Sequence, residues 1–84
     1  MLEARIHVTL KKSVLDPQGD TVKSGLASLG FTSVEGCRVG KFMVLRLSET
    51  DPAKAETQVD EMCRKLLANP VIEDYVFQIG EVTG

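Results

Sequence analysis

Hydrophobic and polar residues alternate along the first part of the chain. In residues 4–11, ARIHVTLK, every second side chain is apolar and the intervening ones are polar. A period of two is typical of a strand with one buried face. We therefore predict a half-buried strand over residues 4–11, whose apolar face carries Ala4, Ile6, Val8 and Leu10.

An Asp-Pro pair at Asp16 and Pro17 predicts the start of a helix. An Asp side chain accepts hydrogen bonds from free backbone amides at a helix start, and Pro is favoured at the first helical position because it has no amide to satisfy. The helix is predicted over residues 17–29, with Gly30 as its stop. Its apolar residues follow at helical spacing: Val22, Leu26 and Leu29.

A second Asp-Pro pair, at Asp51 and Pro52, starts the stronger of the two helix patterns. The apolar stripe has the i, i+3, i+4, i+7, i+8 spacing of an amphipathic helix. Asn69-Pro70 ends it, because proline disfavours the helical conformation in the residue before it. The stripe consists of Val59, Met62, Cys63, Leu66 and Leu67.

Three further strands complete the prediction. Residues 33–39 and 42–48 are predicted as a hairpin with Gly40 and Lys41 at its turn, and residues 74–82 as the last strand. As an alternative to a simple turn residue, Lys41 could project toward an acidic partner surface.

The predicted order β-α-β-β-α-β indicates a single α+β domain over residues 1–84, a two-layer ferredoxin-like sandwich. Right-handed crossovers would place both helices on one face of a four-stranded antiparallel sheet. The helix-side layer is then consistently apolar: Ile6, Val8, Leu10, Cys37, Val39, Met43, Leu45, Leu47, Tyr75, Phe77 and Ile79.

The opposite side of the sheet, here called the open face, would carry Arg5, His7, Thr9, Phe42, Val44, Arg46, Val76 and Gln78. Three of these residues are large and apolar: Phe42, Val44 and Val76. Scattered surface apolar residues are common, but burying each one would contribute roughly 1.5–3 kcal/mol. We therefore expect an association surface and a homo-oligomer, which a monomer at tens of micromolar would contradict.

Composition excludes several classes of protein. A formal charge of −2 with scattered basic residues is not expected of a nucleic-acid-binding protein. No apolar run reaches the roughly 18 residues of a membrane span, and the amino terminus has no signal-peptide pattern. With only two cysteines, Cys37 and Cys63, we expect a cytoplasmic protein without disulfides.

No catalytic or metal-binding motif is visible. His7, the only histidine, has no nucleophile placed beside it by sequence. Cys63 lies in the apolar stripe of the second helix and Cys37 alternates with core positions, which favours buried thiols over reactive ones. Glu73 and Asp74 would point to opposite faces of a strand and cannot pair as acid and base. The charged residues of the second helix have the spacing of surface ion pairs, and no phosphate-binding loop is present.

Three segments together resemble a known family. They are V-L-D-P-Q-G at residues 14–19, C-R-V-G-K-F at residues 37–42, and L-L-A-N-P-V-I-E-D-Y at residues 66–75. The chain is similar to PurS, the small subunit of formylglycinamide ribonucleotide amidotransferase, over essentially its whole length. Members of that family often carry an acidic residue at the position of Val44, so the open face here is more apolar than usual.

The resemblance implies a bridging subunit of de novo purine synthesis that forms dimers or tetramers. A large synthetase subunit would bind ATP, magnesium and substrate, a glutaminase subunit would release ammonia from glutamine, and this chain would bind no cofactor itself. The implied contact or shape-setting positions are Arg38, Gly40, Lys41, Asn69, Glu73, Asp74 and Tyr75, beside the open-face candidates Phe42, Val44 and Val76.

Two other functions share this order of elements. An ACT-type regulatory module would bind an amino acid near the first strand–helix junction, and titration with amino acids would identify it. An acylphosphatase-like enzyme would need an anion-binding loop after the first strand, but residues 11–18 contain no glycine or arginine for one.

Overall fold

A computed structural model describes residues 1–82, which form a three-stranded antiparallel sheet and two helices. Strand β1 lies in the centre of the sheet, between β2 and β3. Helix α2 continues as a π-helical segment over Cys63–Leu67. The elements are β1 (Leu2–Leu10), α1 (Pro17–Ser28), β2 (Gly40–Leu47), α2 (Pro52–Met62) and β3 (Glu73–Glu81).

The core lies between β1 and α2. The central strand is paired with a neighbour along both edges, and α2 covers its apolar face. Ile6 and Val8 are buried there, opposite Val59 and Cys63 of the second helix. The predicted apolar layer is thus confirmed where the strands exist. Its outer members pack partly buried around this core: Met43, Leu45, Tyr75, Phe77 and Ile79.

The α+β class is confirmed, but the predicted fourth strand at residues 33–39 is wrong. This segment forms no strand, and Gly40 and Lys41 are not a turn but the first residues of β2, opposite Thr9 and Val8. Gly36 interrupts the segment, and glycine weakens a strand interior. Cys37 and Val39 therefore do not join the sheet layer.

The prediction that both helices cover the sheet is also wrong. Helix α1 ends as predicted, with Gly30 at a φ of 97°, but it does not pack on the sheet, and Gly19 is its buried residue. The radius of gyration is 16.3 Å, whereas a compact chain of this length has about 12 Å.

The long dimension of the molecule is consistent with a helix that stands away from the sheet. It measures 48 Å, longer than a nine-residue strand of about 30 Å, and no extensive contact joins α1 to the strands. Residues 11–39 therefore form a projection that leaves the sheet at the end of β1 and returns at the start of β2. We call this projection the arm.

We predict that Val59→Ala lowers the free energy of unfolding by about 2 kcal/mol, because two buried methyl groups are lost and a cavity remains. Glu56→Ala, one turn away and exposed, is the matched control and should change stability by less than about 0.5 kcal/mol. Urea denaturation followed by circular dichroism measures both. Equal effects of the two substitutions would contradict the core described above.

Candidate interaction surfaces

The base of the arm is closed by the carboxylate of Asp16, which is buried. Its Oδ1 accepts a hydrogen bond from the Gly19 amide at 2.9 Å, and its Oδ2 accepts one from the Val39 amide at 2.9 Å. These two bonds, first the one from Gly19, hold the pKa of the Asp16 carboxyl below its usual value, and the Arg38 guanidinium lowers it further. The same side chain caps α1 and ties it to the strand that follows.

Arg38 closes the same joint from the other side. Its Nη1 donates to the Val14 carbonyl and its Nη2 to the Lys12 carbonyl, both at 2.7 Å. A Cβ added at Gly19 would overlap the carbonyl oxygen of Cys37, so only glycine allows this close approach. We call the Asp16 and Arg38 contacts the clasp.

The clasp explains why two of the sequence motifs occur together. V-L-D-P-Q-G supplies the carboxylate and the glycine, and C-R-V-G-K-F supplies the arginine and the amide, so the two motifs form one structural unit. Arg38, a predicted contact position, thus binds two backbone carbonyls of its own chain. The sequence indicated Asp16 only as a helix cap, because its second bond joins residues that are remote along the chain.

Gly40 and Lys41 lie where the arm rejoins the sheet. A Cβ at Gly40 would overlap the carbonyl of Val8, which accounts for the glycine. The Lys41 ammonium is 3.8 Å from a carboxylate oxygen of Glu73, and its side chain is exposed. The other Glu73 oxygen accepts a hydrogen bond from the Asn69 amide at 2.7 Å.

The candidates from Asn69 to Tyr75 shape the turn between α2 and β3. Asn69 Oδ1 accepts from the Val71 amide at 3.1 Å, and Lys11 forms a 2.7 Å ion pair with Asp74. The Tyr75 hydroxyl donates to Asp60 Oδ1 at 2.6 Å. This bond is the main reason why the pKa of Asp60 is lowered and that of Tyr75 is raised.

The open face has the exposed apolar residues that the pattern predicted. The sheet register places His7 between Phe42 and Val76, so these side chains are neighbours across three strands. The His7 ring lies 4.6 Å from the ring of Phe42, centre to centre. Phe42 is 56% exposed, Val44 49% and Val76 67%. Contact with a partner at these positions stays a prediction.

A second apolar surface lies on the helix side of the sheet. An open hollow of about 620 Å³ lies between α2 and β2, and we call it the groove. Leu66 on its wall is 82% exposed. The groove is lined by Leu45, Gln58, Glu61, Met62, Lys65, Leu66 and Leu67.

The reactive side chains do not form a catalytic centre. Cys63 is buried in the core, and that burial raises the pKa of its thiol. Within residues 1–82, no group of three or more His, Cys, Asp or Glu side chains is placed to hold a metal ion. No helix in the same range has both the length and the apolar character needed to cross a bilayer.

We predict that Asp16→Asn lowers the melting temperature. The Asn carbonyl can still accept from Gly19, but its amide nitrogen cannot accept from Val39. Because the pKa of Asp16 is lower in the folded state, the carboxylate stabilises the fold above about pH 4 and loses this effect as pH falls through the lowered pKa.

The variant should therefore lose less stability than the parent chain as the pH falls from about 5 to about 2. Thermal melts across that range measure both effects. The control is Asp20→Asn, which removes an exposed carboxylate from the first turn of the same helix. If it altered the melting temperature and its pH dependence as much as Asp16→Asn, the clasp would have no special role.

The family model for PurS, phosphoribosylformylglycinamidine (FGAM) synthase, matches residues 3–81. The phosphoribosylformylglycinamidine synthase subunit PurS of Synechocystis is 51% identical over 95% of this chain and 80% of its own length. The corresponding Bacillus subtilis subunit is 45% identical over 98% of this chain and 96% of its own length. Matches of this kind do not favour the ACT-type alternative.

Solved structures agree over the same extent. The crystal structure of Methanocaldococcus jannaschii PurS has a TM-score of 0.88 and 38% identity, covering 99% of this chain and 100% of that one. A chain in the structure of PurLQS from Thermotoga maritima has a TM-score of 0.83 and 30% identity, covering 94% and 98%. On the family model and these relatives together, the chain belongs to the PurS family of phosphoribosylformylglycinamidine synthase subunits.

Proposed function

We propose that this chain is the non-catalytic bridging subunit of a glutamine-dependent phosphoribosylformylglycinamidine synthase in de novo purine biosynthesis. It would join an ATP-dependent synthetase subunit to a glutaminase subunit. The observation that carries the proposal is the match to the PurS family over residues 3–81. Its likeness to a chain of PurLQS supports an assembled enzyme in which a PurS protein takes part.

The distribution of side chains supports assembly rather than catalysis. Three charged groups of the sequence motifs are engaged in holding this fold: Asp16 and Arg38 in the clasp, and Glu73 in the turn before β3. The apolar side chains that a larger protein would bury are on the surface instead. A bridge needs at least two separate contact areas, and the open face and the groove lie on opposite sides of the sheet.

The chemistry of ammonia gives such a bridge a purpose. Ammonia that escapes into neutral water is protonated and is then no longer a nucleophile, so the glutaminase and synthetase sites must be coupled. We expect ATP, magnesium and glutamine to bind the partner subunits, and the assembly to be cytoplasmic. We also expect the chain to act as a homodimer or a tetramer, because a two-fold contact buries the same exposed apolar residues in both copies.

Reconstitution tests the proposal. With large and glutaminase subunits present, omitting this chain should abolish most glutamine-dependent synthesis. Synthesis from added ammonium salt at alkaline pH should be largely retained, because free ammonia needs no coupling of sites. Product formation with each nitrogen source measures the two activities, and the chain alone is the blank.

Glutamine-dependent synthesis that proceeds equally well without the chain would contradict the bridging role. Product formation by the isolated chain would contradict its description as non-catalytic.

A further inference from the structure

We propose that the free edge of β3 binds an extended segment of a different protein, in which basic and apolar residues alternate. The segment would add a strand to the sheet beside β3, with its basic side chains on the helix side. This inference goes beyond the proposed bridging function and does not depend on it.

Strand β3 has one side whose backbone groups lack partners. The Lys11 amide donates to the Ile72 carbonyl at 2.8 Å, and the Val82 amide donates to the Met1 carbonyl at 3.0 Å. In an antiparallel pair, every second residue bonds to the neighbouring strand, and the residues between them direct their N–H and C=O groups away from it. Within residues 1–82, no backbone group bonds to those that point away at the centre of β3. They belong to Tyr75, Phe77 and Ile79.

The sequence of this edge does not prevent pairing. Natural edge strands are commonly protected by proline, lysine or a β-bulge. Strand β3 has nine residues, none of them proline or lysine, and it pairs with β1 residue by residue without a bulge. Its centre, Y-V-F-Q-I at residues 75–79, is uncharged and rich in aromatic and β-branched residues, which favour strands. Such an edge can accept an added strand.

A hollow beside this edge determines which segment fits. It has a volume of about 520 Å³ and lies between α2 and β3. Tyr75 and Phe77 line it from the sheet, with their rings stacked 6.5 Å apart. Glu56 and Asp60 line it from α2. Residues directly opposite each other on paired strands share a face, so the side chains opposite Tyr75 and Phe77 would enter the hollow.

The hollow favours a cation. Glu56 and Asp60 are one turn apart on α2, a spacing at which like charges destabilise a helix. Asp60 is compensated by bonds from the Tyr75 hydroxyl and from Arg64, whereas Glu56 has no ion pair within the described residues. A lysine or arginine could lay its methylene groups over the Phe77 ring and place its charge beside Glu56.

The positions between these basic residues would be apolar. Successive side chains of a strand point to opposite faces, so the intervening ones would lie on the open face. There they would meet Val76, which is 67% exposed.

A second copy of β3 does not have the matching charge. A two-fold antiparallel pair centred on Phe77 would place Glu73 of one copy opposite Glu81 of the other, and like charges directly opposite each other are destabilising. Every charged residue of β3 is acidic, the third being Asp74. A strand with basic residues, from another protein, supplies the complementary charge.

A blocked heptapeptide in which four valines alternate with three lysines tests the proposal. The control peptide has the same seven residues with its lysines grouped at one end, so the two peptides have equal charge. Titration of each into the isotope-labelled full chain, followed by nuclear magnetic resonance, measures the dissociation constants. We expect that of the alternating peptide to be at least about tenfold lower. Equal binding of the two peptides, or no binding of the alternating one, would overturn the proposal.

Amide hydrogen exchange in the same samples locates the peptide. In the chain alone, the amides of Phe77 and Ile79 should exchange fast, and those of Val76 and Gln78 slowly, because only the latter bond to β1. Saturating peptide should slow exchange at Phe77 and Ile79 at least about tenfold and leave the other two unchanged. Binding without this change would refute the edge as the site. Protection of Phe77 and Ile79 before peptide is added would show that another copy covers the edge, which also refutes the proposal.

Glu56→Gln tests the role of the hollow. It should raise the dissociation constant of the alternating peptide about two- to fivefold, the effect of one exposed ion pair. The matched control is Glu61→Gln, which removes an exposed carboxylate on the groove side of α2 and should leave binding unchanged. Equal effects of the two substitutions would contradict a cation site in the hollow. Failure of the reconstitution described above would not alter any of these measurements, so the two proposals fail separately.

Discussion

The carboxylate of Asp16 accepts hydrogen bonds from two backbone amides that are remote in sequence, and the course of the chain depends on this contact. It caps α1 and holds the start of that helix against Val39. Arg38 reinforces the joint through the carbonyls of Lys12 and Val14. Since Asp16 is buried and both its oxygens are satisfied, changing the direction of the arm would leave buried polar groups without partners.

The direction of the arm determines which surfaces stay uncovered and where the sheet ends. Because α1 leaves the sheet, α2 alone covers the core, and the surface over β2 stays open as the groove. Because residues 33–39 run back along the base of the arm, they do not extend the sheet beyond β2. A short chain has a thin core in any case, and this one places a third of its residues outside it. Its remaining apolar side chains are available for association.

In this arrangement, polar and apolar residues have different roles. Polar residues of the family motifs stabilise joints and turns within the chain, as the Glu73 bond to Asn69 and the Tyr75 bond to Asp60 do. Apolar residues on the open face, the arm and the groove have little to contact in a single copy. A protein that contributes to a reaction by assembly would have this distribution, and it agrees with the bridging function that we propose.

The local sequence pattern was enough to predict those strands and helices whose defining residues lie within one segment. The alternation of residues 4–11 and the helical spacing of Val59 and Cys63 each identify a face that is buried. The Asp-Pro pairs mark helix starts through bonds made within one turn. The apolar residues of the open face were predictable for the same reason. Only the tertiary structure decided that residues 33–39 form no strand, that α1 stands away from the sheet, and that Arg38 binds within the chain. These outcomes depend on Asp16 meeting Val39, a contact between distant residues that no local periodicity encodes.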